Sequence, residues 1–288
     1  PAKLAGVPRL VVASPPGRGG RLDPAIAWVC RELGINEILR SGGAQAIAAL
    51  AHGTESCAPV VKVTGPGSAW VAAARRVLSG TVDTGLPAGP TESVVIADRA
   101  ADPWHVALDA LIEAEHGEDS CTLVLCETRA IAEACSEFLE SFVDELPEPR
   151  RGFARTVLET NGGVFVCSDL RECAELANRF APEHLQLQVE RPWDLVEQIP
   201  DAAEILIGPS TPFSLANYLA GPNAVLPTGG RARSASPVSV RDFQRTSTVI
   251  EAEEEALRRL APHIVALADY EGFPAHALAI RRRGLLTE

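Results

Sequence analysis

The sequence predicts an α/β fold with parallel sheets and a helical C-terminal tail. Short apolar runs alternate with amphipathic stretches from the first residues, glycine-containing turns join runs to stretches, and the alternation stops near residue 237. A chain of this kind passes from strand through crossover helix to the next parallel strand. Leu10-Val11-Val12-Ala13 is the first expected strand. A helix follows over Asp23 to Leu33, with Asp23 as its cap and Pro24 at the first helical position, where a missing N–H costs nothing. Glu37-Ile38-Leu39 is the second strand, leading through Gly42-Gly43 into a helix near Ala44–Ala51. Val60 to Val63 reads as a third strand, leading through Gly65-Pro66-Gly67 into a helix near Ala69–Leu78.

After the turn-rich Leu86-Pro87-Ala88-Gly89-Pro90 the pattern restarts. Strands are expected at Ser93–Ala97, Thr122–Leu125, Val164–Cys167 and Glu204–Gly208, with helices near 102–115, 128–144 and 168–179. Ser234 to Thr248, rich in Ser and Thr, reads as extended loop. Glu251–Leu267 and Pro274–Arg283 are helical by periodicity. The expected domains are therefore 1–91, 92–237 and a tail, 238–288. A tail with no strands of its own suits docking on another copy, so a homodimer is expected.

Bulk numbers narrow the function. The 288 residues suit about two domains. A 46% apolar and 22% charged composition is that of a globular protein, and no apolar run is long enough to span a membrane. The first residues lack the marks of a signal peptide. A net charge of −12 argues against a nucleic-acid surface, which needs clustered Lys and Arg; the one basic run, Arg281-Arg282-Arg283, suits the end of a helix. Seven cysteines without a CxxC pair point to a reducing cytoplasm and to small core residues. The chain starts at proline and contains no methionine, which suggests a shortened form or omitted methionines.

Six histidines are present, and three of them accompany carboxylates: Glu113 with His116, Glu183 with His184, and Glu271 with His276. These pairs are expected to converge on one site for base-assisted oxidation of a small polar alcohol. Glu113 and His116 stand three apart on a helix and share a face, which suits two metal ligands, a solvated face or a dipole partner. Glu183 and His184 open the alternating run Leu185-Gln186-Leu187-Gln188-Val189. There an imidazole can take an alcohol proton and a carboxylate can activate water, although a surface pair would look the same. Ser41-Gly42-Gly43-Ala44-Gln45 and Gly65-Pro66-Gly67-Ser68 are either ordinary tight turns or anion sites at helix N-termini. His52, His105 and His263 read as structural. Cys121, opening the apolar run TLVLC, is a weaker candidate as an aldehyde-dehydrogenase nucleophile.

Seven segments in order, GGAQAIAALA (42–51), GPGSAWVAAA (65–74), PAGPTE (87–92), EAEHG (113–117), PEHL (182–185), NAVLPTGGRAR (223–233) and SVRDFQR (239–245), together resemble histidinol dehydrogenase. The resemblance covers essentially the whole chain but not the family's N-terminal segment. It implies two incomplete Rossmann-like, three-layer α/β domains, zinc and NAD as cofactors, and a homodimer whose C-terminal tail reaches the other subunit's site. It further implies a double oxidation, alcohol to aldehyde to carboxylate. His184 would be the general base and Glu183 would activate water in the second step. Gln45 and Ser68 fall on NAD-contacting positions, Ser68 replacing the usual Asn.

The remaining carried-over positions depart from the family. Zinc ligands there are a Gln and a His on one helix, an Asp before a Tyr, and a His from the partner's tail; here they are Glu113, His116, Asn217 (before Tyr218) and His276. Amide and carboxylate have traded places, so the set keeps a charge of −1 and retained zinc is the expectation. Among substrate positions, Thr91 replaces a serine, Phe213 a Glu and Ala224 a His, while Tyr218 and Glu271 remain. Each lost charged hydrogen bond is worth roughly 1.5–3 kcal/mol. A divergent member oxidising a small, more apolar or differently shaped primary alcohol is therefore expected. The alternatives are L-histidinol dehydrogenase itself and a drifted, ligand-binding homologue.

Overall fold

The structure, a computed structural model, describes residues 1–285. Two compact units divide the chain, Pro1–Gln244 and Arg245–Glu288.

The first unit opens with β1 (Val11–Ala13), α1 (Pro24–Glu32), β2 (Glu37–Leu39), α2 (Gly43–His52) and α3 (Ala69–Leu78). As the sequence suggests, Asp23 caps α1, its carboxylate accepting from the N–H groups of Ala25 and Ile26, with Pro24 in the first turn. β1 and β2 pair in parallel, Val12 opposite Ile38. Ile47, Leu50, Cys57, Val63 and Val82 fill the core beneath. The expected third strand at Val60–Val63 does not form and is reduced to an isolated parallel bridge, Lys62 with Asp83. Pro59 and Pro66 flank it and donate nothing to a ladder. Its hydrogen bonds go instead to Leu50 and Asp83, Val63 N–H donating to the Asp83 carbonyl at 2.8 Å.

The larger sheet comprises β3 (Glu92–Ala97), β4 (Cys121–Cys126), β5 (Gly163–Val166), β6 (His184–Gln188) and β7 (Glu204–Ile207), all parallel, in the order β5-β4-β3-β6-β7. Counted from β3 this is 3-2-1-4-5, the doubly wound order without a sixth strand. Helices α4 (Pro103–Ala114), α5 (Arg129–Glu145), α6 (Arg150–Thr156) and α9 (Phe213–Tyr218) cover one face, and α7 (Leu170–Phe180) and α8 (Trp193–Val196) the other. Val95 and Ala97 point to the first face, Val94 and Ile96 to the second, as strand alternation requires. β3 is buried on both faces, which explains its near-continuous apolar sequence, whereas β6, equally buried, alternates Leu with Gln, the amides of Gln186 and Gln188 donating to the Thr211 carbonyl and Asp109. α6, the π-turn at Val157–Asn161, α8 and α9 were not anticipated; at four to seven residues they hold too few turns for a periodic signal. A short 3-10 turn at Val240–Phe243 interrupts the expected loop, and another at Arg231–Arg233 precedes it.

The second unit contains α10 (Glu254–Tyr270) and α11 (Pro274–Arg281), packed through Ala261, Ile280 and Leu285. No helix among the described residues is long and apolar enough to cross a membrane.

Leu185 of β6 is fully buried among Leu187, Ala174 and Ala177. Leu185→Ala leaves a cavity between sheet and α7 and is expected to cost about 2–5 kcal/mol, read from the denaturant midpoint at unchanged m-value.

Candidate active site

The site gathers where β3, β6 and β7 begin and α4 and α7 end. α7 stops at Phe180, and the next residue, Ala181, takes a left-handed conformation at φ 57 while fully buried. A non-glycine residue there stores local strain, which the surrounding packing holds. The turn carries the chain through Pro182 and sets Glu183 immediately before β6, with His184 as its first residue. Both are buried, at 7% and 3% exposure, so the surface reading of this pair is excluded. Along β6, Leu185 and Leu187 face α7, whereas His184, Gln186 and Gln188 face the α4–α9 side.

Parallel register then supplies the neighbours. Ser93 lies opposite His184 across β3, and the backbone N–H of Glu92 donates to Glu183 Oε2 at 3.1 Å. Glu204, the first residue of β7, lies opposite His184, and its Oε2 is 2.8 Å from Nδ1. Nε2 stands 3.9 Å from Glu183 Oε2. The Phe213 ring meets the imidazole edge-on, centroids 5.7 Å apart, and is itself fully buried. Phe213 thus shapes the site through His184.

Burial pushes the Glu183 carboxyl up to about 7; the His184 charge opposes this, and nearby Glu113 and Glu92 add to it. Burial alone would lower the His184 imidazole, but the bond to Glu204 and the charges of Glu183 and Glu113 outweigh it and hold the imidazole above the ordinary histidine value. Burial also raises Glu92, whose carboxylate accepts from Gly229 N–H at 3.0 Å, tying the 223–233 loop to the sheet. A carboxyl raised to about 7 beside a buried imidazole, with a second raised carboxyl at the strand start, is an arrangement suited to proton transfer.

Glu113 lies in the last turn of α4, but the helix stops at Ala114, so His116 stands exposed two residues past its end and not on the helix as expected; its Nδ1 is 3.3 Å from Glu113 Oε2. Asn217 of α9 donates Nδ2–H to Glu113 Oε1 at 2.9 Å, so the exchanged amide and carboxylate contact each other directly. Among the described residues no group of three or more His, Cys, Asp or Glu forms a metal cluster. The chemistry of this corner nevertheless suits a divalent cation. Glu113 is fully buried, and its Oε2 has no hydrogen-bond partner, an orphaned oxygen that a cation would satisfy. His116 Nδ1 lies 3.0 Å from the Ile112 carbonyl, which leaves Nε2 free to ligate.

The two expected nucleotide positions lie at helix starts. Asp or Thr side chains cap α1, α4, α5 and α7, whereas α2 and α3, like α6 and α8–α11, have no side-chain cap. Gln45, exposed in the first turn of α2, folds over Gly43, whose φ of +70 favours glycine. Ser68 precedes α3 and is exposed.

Thr91 is half-buried next to Glu92, Tyr218 is 82% exposed, and Ala224 is exposed. Glu271 and His276 lie in the second unit, both exposed, His276 against Phe273. His52 and His105 are exposed at the ends of their helices, and His263 is exposed on α10. All seven cysteines are free; burial raises Cys121 to about 11, so it is a thiol at neutral pH and no activated nucleophile. Two neighbours escaped sequence reasoning. Glu92 stood inside the PAGPTE motif, and Glu204 was visible only as an acid opening an apolar strand.

Comparison with known proteins agrees with this architecture. The family model described as histidinol dehydrogenase matches residues 1–284. A histidinol dehydrogenase of Synechocystis sp. is 47% identical over 98% of this chain and 65% of its own length. A histidinol dehydrogenase homolog of Rhizobium meliloti is 44% identical over 97% of this chain and 62% of its own. The crystal structure of histidinol dehydrogenase from Elizabethkingia anophelis superimposes with a TM-score of 0.93 at 34% identity, covering 98% of this chain and 65% of that one. The chain therefore spans just under two thirds of the length of these relatives. The family model over nearly the whole chain and relatives at 44–47% identity show that the chain belongs to the histidinol dehydrogenase family.

Proposed function

We propose that the chain forms the body of an NAD-dependent, zinc-assisted enzyme that oxidises a small primary alcohol of the L-histidinol type, through the aldehyde, to the carboxylate. One observation carries the reading: His184 is buried with Nδ1 held by Glu204 and Nε2 turned toward Glu183. An imidazole so held takes the alcohol proton at Nε2 as hydride leaves the carbinol carbon. Glu183, ionised above about pH 7, then accepts a proton from the water that adds to the aldehyde, and a second hydride leaves to give the acid. NAD would be held near Gln45 and Ser68 at the α2 and α3 N-termini and would supply the hydride acceptor. Zinc held by Glu113, His116 and Asn217, with His276 of a second copy, would supply a positive charge that orients the substrate. Glu271 from that copy and Thr91, Tyr218 and Ala224 from this one would border the substrate. The homodimer follows from this sharing, and free cysteines support a reducing cytoplasmic setting.

Family membership favours L-histidinol over an unspecified alcohol, so that alternative is better supported than a generic substrate. One observation keeps the other reading in play: apolar Phe213 and Ala224 replace the Glu and His positions expected to hold histidinol. A drifted homologue without catalysis is the weakest reading, since it gives no reason to bury both proton-handling groups together. NADH formation from L-histidinol with zinc present decides among them. A turnover within about tenfold of 10 s⁻¹, abolished by chelation, identifies L-histidinol as substrate. Tight NAD binding with turnover at least about 10³-fold slower assigns the site to another alcohol, and absence of both metal and nucleotide binding supports the drifted homologue.

A further inference from the structure

We infer that Glu204 is a positioning residue for the reaction, fixing the tautomer and ring orientation of His184 so that Nε2 is the nitrogen presented to substrate. The inference rests on the function proposed above and adds a residue to it. Parallel pairing sets Glu204 directly opposite His184, and side chains at paired positions of adjacent strands share a face. The contact follows from the register of the sheet and does not depend on a mobile loop. Oε2 lies 2.8 Å from Nδ1, the length of a charge-assisted hydrogen bond. The backbone strengthens the placement, since Glu204 N–H donates to the Glu183 carbonyl at 3.1 Å. The same residue therefore anchors the acid's main chain and the base's side chain.

A neutral imidazole with Nδ1–H committed to a carboxylate must carry its lone pair on Nε2. Phe213 holds the ring edge-on from α9, leaving it little freedom to flip. When Nε2 takes the substrate proton, the ring becomes imidazolium, and the Glu204 carboxylate neutralises a buried charge that would otherwise stand among apolar neighbours. The acid of a serine-protease triad performs the same two tasks, and its amide replacement slows turnover about 10⁴-fold. Glu204 is more exposed than that acid, its side chain at 17%, so a smaller effect is expected. Glu183 cannot substitute, because it approaches Nε2 from 3.9 Å and serves the other nitrogen.

The test compares Glu204→Gln and Glu204→Ala with the full chain. Gln keeps an acceptor for Nδ1–H but removes the charge; Ala removes both. The expected order of kcat is wild type, Gln, Ala, with Ala slowed about 10²–10³-fold, within the range of general-base catalysis, and KM changed less than about threefold. The ligand-free protein gives a second readout: ¹⁵N chemical shifts of labelled histidine, with His184 assigned by its loss in His184→Asn. Nε2-basic signals in wild type and Glu204→Gln, and a mixed tautomer in Glu204→Ala, support the inference. An unchanged tautomer in Glu204→Ala overturns it, even where thermal stability falls, as does kcat within about threefold of wild type. Because the spectra need no substrate, wild-type protein inactive on L-histidinol would sink the functional reading while the tautomer still decided the role of Glu204.

Discussion

His184→Asn is expected to abolish NADH formation, lowering turnover by about 10³-fold or more. A positioned base contributes typically 10²–10⁴-fold, and the Asn amide cannot accept a proton near neutral pH. The imidazole is the group of this cleft with a ring nitrogen free for the alcohol, since Nδ1 is taken by Glu204. A trivial loss through unfolding is separable. Thermal stability and NAD affinity report on the fold and the nucleotide side, and both are expected to stay near wild type while the rate collapses. Near-normal turnover in this variant would refute the assignment of His184 as the base.

Glu183→Gln is expected to split the reaction. The first hydride transfer depends on His184 and should persist, releasing about one NADH per site before stalling. Aldehyde then accumulates, because activation of water for the second oxidation is slowed about 10²–10⁴-fold. A trapping reagent for aldehydes, with NADH counted in single turnover, reads both halves. In the wild type the second step should rise with pH and level off above about 7, where Glu183 is ionised; the variant should lose this limb. Stability should move the other way. The carboxyl holds its proton in the folded state well above the reference value of 4.5, so its contribution is intact below 4.5 and is lost as pH rises through about 7. A neutral amide escapes that loss. Glu183→Gln should therefore melt higher than wild type above pH 7, the difference vanishing in acid. Equal melting at high pH would show that the burial of this charge costs nothing.

Much of the architecture was readable because strands buried on both faces leave long apolar runs and their crossover helices carry caps. β3, β4 and α1 appear where Ser93–Ala97, Thr122–Leu125 and Asp23-Pro24 suggest. Val60–Val63 misled because composition reports burial, which Val63 has, and says nothing of which ladder accepts its N–H groups. The short helix carrying Phe213 and Asn217 left no periodic trace, so the contact of Asn217 with Glu113 could only be inferred through family likeness. Adjacent Glu183 and His184 announced themselves. Glu204 did not, because it owes its role to strand register, which joins residues twenty apart and is set by the whole sheet.

The polarity of the sheet carries a further consequence. Three strands begin at the carboxylate cluster and two long helices finish there, so the peptide dipoles of α4 and α7 present their negative ends to it. This end of the domain therefore repels phosphate and welcomes cations and proton donors. The amino ends of α2 and α3 carry the opposite sign and are left open to anions. Direction of the backbone alone thus gives the two ends opposite sign before any side chain contributes.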